Sequence, residues 1–185
     1  MLRGGALQAR GAVGPDRAGA ARVVLVKPPM QVARGNHLTL ACPPLGVAYL
    51  AATLRARGVE VSVVDAVGEA PTQVTPLAGQ PHLLRYGLTD EQIVRRIPAG
   101  AAVIGVSAMF SEEWPLTRQV IRAIGRAFPD AAIIAGGEHV SAAPELVLRE
   151  CPAVRACVVG EGEETLAELV AALEAGSSIE GVDRK

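Results

Sequence analysis

Short apolar runs ended by chain breakers alternate along this sequence with segments whose apolar residues recur at helical spacing. Residues 22–27 (RVVLVK) are rich in β-branched side chains and stop at Pro28 and Pro29, which predicts a buried strand. Residues 45–57 place Val47, Leu50, Ala51 and Leu54 on one helical face, with Pro44 suited to the first turn and Gly58 to the C-terminal cap. Residues 60–64 predict a second strand. Residues 65–87 hold Pro71, Pro76, Pro81 and several glycines, and predict irregular chain. Thr89 and Gln92 have capping-box spacing and open a helix carrying Ile93, Val94 and Ile97, stopped by Pro98. A third strand follows at 102–107 (AVIGVS). Thr117, Val120, Ile121, Ile124 and Phe128 then share one helical face. Residues 131–135 predict a fourth strand running into Gly136 and Gly137, and 141–150 a helix with Pro144 in its first turn. Residues 156–159 predict the fifth strand. Residues 163–175 predict the last helix, with Leu166, Leu169, Val170 and Leu173 facing inward and Gly176 as its cap.

Five strand–helix units imply an α/β fold. The expectation is a Rossmann-like (flavodoxin-like) five-stranded parallel sheet, order 2-1-3-4-5, with helices on both faces. Residues 1–20, rich in Gly, Ala and Arg, read as a disordered leader, residues 21–176 as the domain, and the polar residues 177–185 as a linker.

In such a sheet ligands sit beyond the carboxyl ends of the strands. Four loops converge there: 28–44, 107–112 (SAMFSE), 136–139 (GGEH) and 160–163 (GEGE). Glycine lets a ligand approach the backbone, although strand-to-helix turns use Gly and Ser on their own account. Common ligands can be tested against these loops. A dinucleotide fold requires G-x-G-x-x-G after the first strand, where this chain has Lys27, Pro28 and Pro29. The 160–165 string lacks the lysine of a phosphate loop, and its three carboxylates repel phosphate. A phospho-receiver needs acids after the first strand, Asp ending the third and Lys ending the fifth; Lys27, Ser107 and Gly160 occupy those places.

Composition narrows the classes further. A net charge of −1 and 3% aromatic residues leave neither a nucleic-acid footprint nor a base-stacking platform. No apolar run reaches the roughly 20 residues of a membrane helix, and residues 1–20 hold no signal-peptide core. Cys42, Cys151 and Cys157 are odd in number and lack Cys-x-x-Cys spacing. They predict reduced thiols in a cytoplasmic protein rather than a disulfide framework or a structural zinc site. No catalytic residue and no protein metal ligand is assigned, because no nucleophile–base pair or metal constellation is visible.

Five blocks then stand out: PPLGVAYLAATLRARGVEV (43–61), YGLTDEQIVRRI (86–97), VIGVSAMFSEEWP (103–115), AGGEHVSAAPE (135–145) and VVGEGEETLAEL (158–169). In this order, across about residues 22–175, they resemble the cobalamin-binding domain of radical S-adenosylmethionine enzymes. The resemblance implies a bound cobalamin whose lower nucleotide is displaced into the Rossmann-like domain. By that resemblance Ser107, Gly136, Gly137, Gly160 and Gly162 line the slot for the tail, with Ala108, Met109 and His139 in the same loops. Pro44, Leu45 and Gly46 border the corrin side. Glu161 and Glu163 accept hydrogen bonds from cobalamin amides or hydroxyls, although a favourable charge at a helix N-terminus accounts for Glu163 and Glu164 equally well.

Another class of cobalamin protein ligates cobalt through an Asp-x-His-x-x-Gly loop. His37, His82 and His139 all lack that context, so the expectation is base-off cobalamin with no protein histidine on cobalt. Cys-x-x-x-Cys-x-x-Cys is also missing. S-adenosylmethionine and the [4Fe–4S] cluster are therefore expected only through a radical S-adenosylmethionine domain absent from this sequence, in cis or in trans, performing methyl transfer or radical rearrangement. The alternatives are a stand-alone cobalamin-binding or carrier module, and a small α/β enzyme with another cofactor.

Overall fold

The computed structural model describes residues 7–9, 23–35 and 42–177 of the chain. Its strands and helices in order are β1 (Leu7–Ala9), β2 (Val23–Lys27), β3 (Met30–Ala33), α1 (Leu45–Ala56), β4 (Val61–Asp65), β5 (Val74–Leu77), β6 (Gln80–Tyr86), α2 (Asp90–Arg96), β7 (Val103–Ser107), α3 (Trp114–Ala127), β8 (Ala132–Gly136), α4 (Glu138–Ala142), α5 (Pro144–Glu150), β9 (Val154–Val158) and α6 (Glu163–Glu174). A short 3-10 helix, Ser111–Glu113, leads into α3.

Strands β4-β2-β7-β8-β9 are parallel neighbours, so in chain order the sheet runs 2-1-3-4-5. This is the expected flavodoxin-like arrangement. The apolar runs alternate in where they point. Val24, Val26, Ile104, Val106, Ile133 and Cys157 enter a core with Ile93, Ile121, Ile124 and Val147 of α2, α3 and α5. Leu25, Val103, Ile134, Ala156 and Val158 enter a second core with Val47 and Leu54 of α1 and Leu166 and Leu169 of α6. Strands buried on both sides read as continuous apolar runs, which is why they are visible in the sequence.

Local signals act as expected. The Thr89 hydroxyl accepts from the Gln92 backbone N–H, and the Gln92 side chain accepts from the Thr89 N–H. Gly58 follows α1 at φ +81°, a conformation that costs glycine no Cβ clash. Pro44 is the N-cap of α1 rather than a residue of its first turn.

The structure corrects two expectations. The segment read as irregular contains β5 and β6, which join β3 in a separate antiparallel sheet of order β3-β6-β5. Its prolines sit where a ladder tolerates them: Pro76 on an edge strand, and Pro81 where the β5–β6 register shifts. The helix expected at 141–150 is two helices, α4 starting earlier at Glu138 and α5 starting at Pro144. Proline lacks the N–H that a continuous helix would use there.

Leu7–Ala9 lies in the segment expected to be a disordered leader, and it pairs antiparallel with Ala156–Val158 of β9. The rest of that leader, residues 178–185 of the expected linker, and His37 lie outside the described residues. No helix among the described residues is long and apolar enough to cross a membrane.

Candidate functional site

A cleft of about 250 Å³ opens at the carboxyl edge of the large sheet, on the face covered by α1 and α6. Its floor is built by omission. Leu25, Gly105 and Ile134 are register neighbours across β2, β7 and β8, and the middle one has no side chain. Ser107, Gly136 and Val158 form the next row toward the edge. A Cβ on Gly105 would lie 2.8 Å from Leu25 Cδ2, so the leucine side chain occupies part of the freed space and the cleft the rest. Glycine inside a strand marks such a close approach. Gly46, Val47 and Leu50 of α1 form one wall, and Glu163 and Leu166 of α6 the other.

The mouth is made by three post-strand turns. Met109 follows β7; Gly137, Glu138 and Ser141 follow β8; Gly160, Glu161 and Gly162 follow β9. Gly137 has φ +110°, and a Cβ there would lie 2.6 Å from the Ala108 carbonyl oxygen. This glycine is required by the fold itself, because the 137–139 turn packs directly on the 108–109 backbone. The Gly160 N–H donates to Ser141 Oγ at 2.9 Å, which ties two of the turns together.

Of the residues singled out from sequence, the structure brings Gly46, Ser107, Met109, Gly136, Gly137, Gly160, Glu161, Gly162 and Glu163 to the cleft surface. It places Pro44, Leu45, Ala108 and His139 off it. Leu45 is exposed beside Gly46 at the entry to α1, and Ala108 is buried under the turn. The His139 ring is also buried, with Nδ1 2.9 Å from Ser111 Oγ. Burial holds its pKa below the ordinary histidine range, against the attraction of Glu150. The two neighbouring glutamates of α6 are also separated. Glu163 lines the cleft, whereas Glu164 forms an ion pair with Arg57.

Gly105, Leu25, Ile134, Leu50 and Val158 are additions that loop-centred reasoning missed. The signal was present: one glycine interrupts the β-branched run VIGVS.

Among the described residues, the cleft surface carries Glu138, Glu161 and Glu163 and no Lys, Arg or His. Such a surface suits an uncharged, partly apolar ligand with hydrogen-bonding groups and disfavours a bare phosphate. Among the described residues, no group of three or more His, Cys, Asp or Glu side chains is placed to hold a metal ion. Cys42 is exposed, Cys151 and Cys157 are buried, and none forms a disulfide.

Fold and cleft together define a doubly wound α/β domain with a cleft at the carboxyl ends of its strands. Residues 32–170 match the family profile of the B12 binding domain, and the chain belongs to that family. It is 32% identical over 145 residues to cytidylyl-2-hydroxyethylphosphonate methyltransferase of Streptomyces wedmorensis, covering 78% of this chain and 27% of the relative. It is 31% identical over 162 residues to an uncharacterized methyltransferase of Pyrococcus horikoshii, covering 87% and 31%. A third relative, anaerobic magnesium-protoporphyrin IX monomethyl ester cyclase of Synechocystis sp., is 27% identical over 166 residues, covering 88% and 30%. The chain thus spans 27–31% of the length of these curated relatives. Among solved structures, the RcsB response regulator of Salmonella typhimurium superposes with a TM-score of 0.50 at 17% identity, covering 86% of this chain and 62% of that one. That likeness concerns the fold alone.

Proposed function

We propose that this domain holds a base-off cobalamin by its nucleotide tail and presents the corrin to a radical S-adenosylmethionine domain. The observation that carries the reading is the glycine-floored slot at the carboxyl edge. At about 250 Å³ it is far too small for a corrin ring but suits the flat, apolar end of the tail. Leu25, Leu50, Ile134 and Val158 would pack on that end, with Gly105 and Gly136 leaving it room. Ser107, Ser141 and the backbone of the glycine turns would serve its sugar and amide groups. Glu161 and Glu163 would accept hydrogen bonds from amides or hydroxyls. With no cation among the described residues of the cleft surface, the phosphodiester would remain toward solvent. Leu45 and Met109 are exposed apolar side chains at the mouth, suited to the underside of the corrin.

That no protein histidine ligates cobalt rests on the sequence, where His37, His82 and His139 all lack the Asp-x-His-x-x-Gly context. No histidine among the described residues lines the cleft, and His139 is turned beneath its wall. Cobalamin supplies methyl-transfer or radical-rearrangement chemistry at its cobalt. This chain's residues bind and orient it. The names of the relatives, two methyltransferases and a cyclase, accord with either outcome.

The test is reconstitution with hydroxocobalamin followed by desalting. A retained corrin spectrum is expected, and a folded protein that keeps none overturns the reading. Electron paramagnetic resonance of the cob(II)alamin form should lack nitrogen superhyperfine splitting; an axial nitrogen triplet would refute the histidine-off claim. Supplied with iron, sulfide, dithionite and S-adenosylmethionine, this chain alone should yield no 5′-deoxyadenosine. Formation of that product, lost on substituting the three cysteines, would contradict the division of labour.

A further inference from the structure

One residue outside the cleft makes three separate attachments to the turn that forms its wall. The His139 backbone N–H is shared between the Ala108 and Met109 carbonyls, each at 3.2 Å. Its side chain reaches on along the same turn, with Nδ1 2.9 Å from Ser111 Oγ. The turn is also tied back to β8, because the Ala108 N–H donates to the Gly136 carbonyl at 2.7 Å. Ser107 and Met109, either side of Ala108, line the cleft.

The ring cannot swing to a different partner. It is 5% exposed and stacks against Trp114, ring centroids 4.8 Å apart and planes tilted by 31°. Trp114 is itself fixed: its indole N–H donates to the Glu150 carboxylate at 2.7 Å, which also accepts from the Arg118 guanidinium at 2.6 Å. Burial lowers the imidazole's pKa from its ordinary value, against the attraction of Glu150. Its Nε2 is buried without a hydrogen-bond partner among the described residues. Leaving a buried ring nitrogen unpaired costs free energy, and a hydrophobic residue of similar size would avoid that cost. The Nδ1 bond to Ser111 is what a histidine adds here.

We infer that His139 is a positioning residue: it clasps the turn from Ala108 to Ser111 and so holds the Ser107 and Met109 wall of the cleft in its ligand-ready shape. It acts through the turn and touches no ligand itself. The consequence for corrin affinity rests on the reading given under Proposed function; the consequence for the turn does not.

Two variants break the clasp in different ways. Ser111→Ala removes the exposed partner and leaves the buried ring untouched, so folding is not at stake. His139→Phe keeps a ring against Trp114 and loses the nitrogen. His139→Asn restores a polar atom near the Nδ1 position. The readouts are amide hydrogen exchange of Ala108, Glu113 and His139 in the free protein, with Ile104 and Val106 of β7 as internal controls, and hydroxocobalamin affinity by equilibrium dialysis. In Ser111→Ala and His139→Phe the three turn amides should exchange about fivefold faster while the β7 amides stay unchanged. Hydroxocobalamin should bind about tenfold more weakly, the equivalent of about 1.4 kcal/mol, with His139→Asn recovering most of the loss. Unchanged exchange of the turn amides in both variants would overturn the clasp. Faster exchange with unchanged affinity would overturn its positioning role. If the unsubstituted protein binds no hydroxocobalamin, the cobalamin reading fails, and the exchange data alone decide whether His139 holds the wall.

Discussion

The two faces of the large sheet are made by the same strands and differ in what alternate residues supply. Toward α3, β7 presents Ile104 and Val106, and β8 presents Ile133 and Ala135, all buried against helix side chains. Toward α1 and α6, β7 presents Gly105 and β8 presents Ile134 and Gly136, and there the cleft opens. One face is packed to completion and carries stability. The other gives up side-chain volume at two positions and opens a cleft. The lesson is that a cleft can be cut into a well-packed sheet by deletion of side chains, with no rearrangement of the layers.

Filling or emptying each face separates their roles. Ile121→Ala leaves a void on the packed face and should cost about 2–5 kcal/mol of unfolding free energy in urea titrations, with any loss of binding explained by the fraction unfolded. Gly137→Val comes next. The sequence reading groups Gly137 with Gly160 as room for a ligand, but the structure makes Gly137 a structural requirement. Its positive φ and the contact with the Ala108 carbonyl predict a loss of about 3 kcal/mol in stability even without ligand. Gly105→Val should do the reverse. Leu25 Cδ2 can yield, so stability should change by about 1 kcal/mol or less, while hydroxocobalamin affinity drops about tenfold or more. Equal damage to stability and affinity by Gly105→Val would erase the contrast between the faces.

The smallest effect concerns the 3-10 turn that leads from the cleft wall into α3. Burial, and then the neighbouring Glu112, push the Glu113 carboxyl from 4.5 up to about 7, against the pull of Lys27 and a hydrogen bond from the Gln31 backbone. The native state therefore binds this proton more tightly than the unfolded chain between those values. Stability from this group is greatest below about pH 4.5, declines as pH rises to about 7, and is flat above. Glu113→Gln should remove that decline, gaining about 1 kcal/mol near pH 8 relative to pH 5 once solvent screening is allowed for. An unchanged pH dependence of the urea midpoint would show that Glu113 is not buried as described.

The five parallel strands and their order were legible because two-sided burial writes each strand as an apolar run and right-handed crossovers restrict the order. The small sheet was not, because β3 pairs with β6 across more than forty intervening residues and its prolines read as breakers. The mouth of the cleft and the outer row of its floor were legible, since Ser107, Met109, Gly136, Gly160, Glu161 and Gly162 lie at strand ends and in post-strand turns where ligands are expected. The inner row of the floor was not. Leu25 and Ile134 look like any core residue, and Gly105 gains its meaning only when the register sets it between them. His139 shows the limit of reading by proximity in sequence: it lies two residues from Gly137, yet its ring turns under the wall to Ser111.

The central claim is that the slot between α1 and α6 holds the nucleotide end of cobalamin. The most direct measurement is equilibrium dialysis of this protein and its Gly105→Val variant against hydroxocobalamin and against aquocobinamide, which lacks the nucleotide tail. The account predicts that the unsubstituted protein prefers hydroxocobalamin by about tenfold or more, and that Gly105→Val abolishes the preference while leaving the weak cobinamide binding as it was. Equal affinity of the unsubstituted protein for the two corrins, or a preference that survives in Gly105→Val, would contradict it.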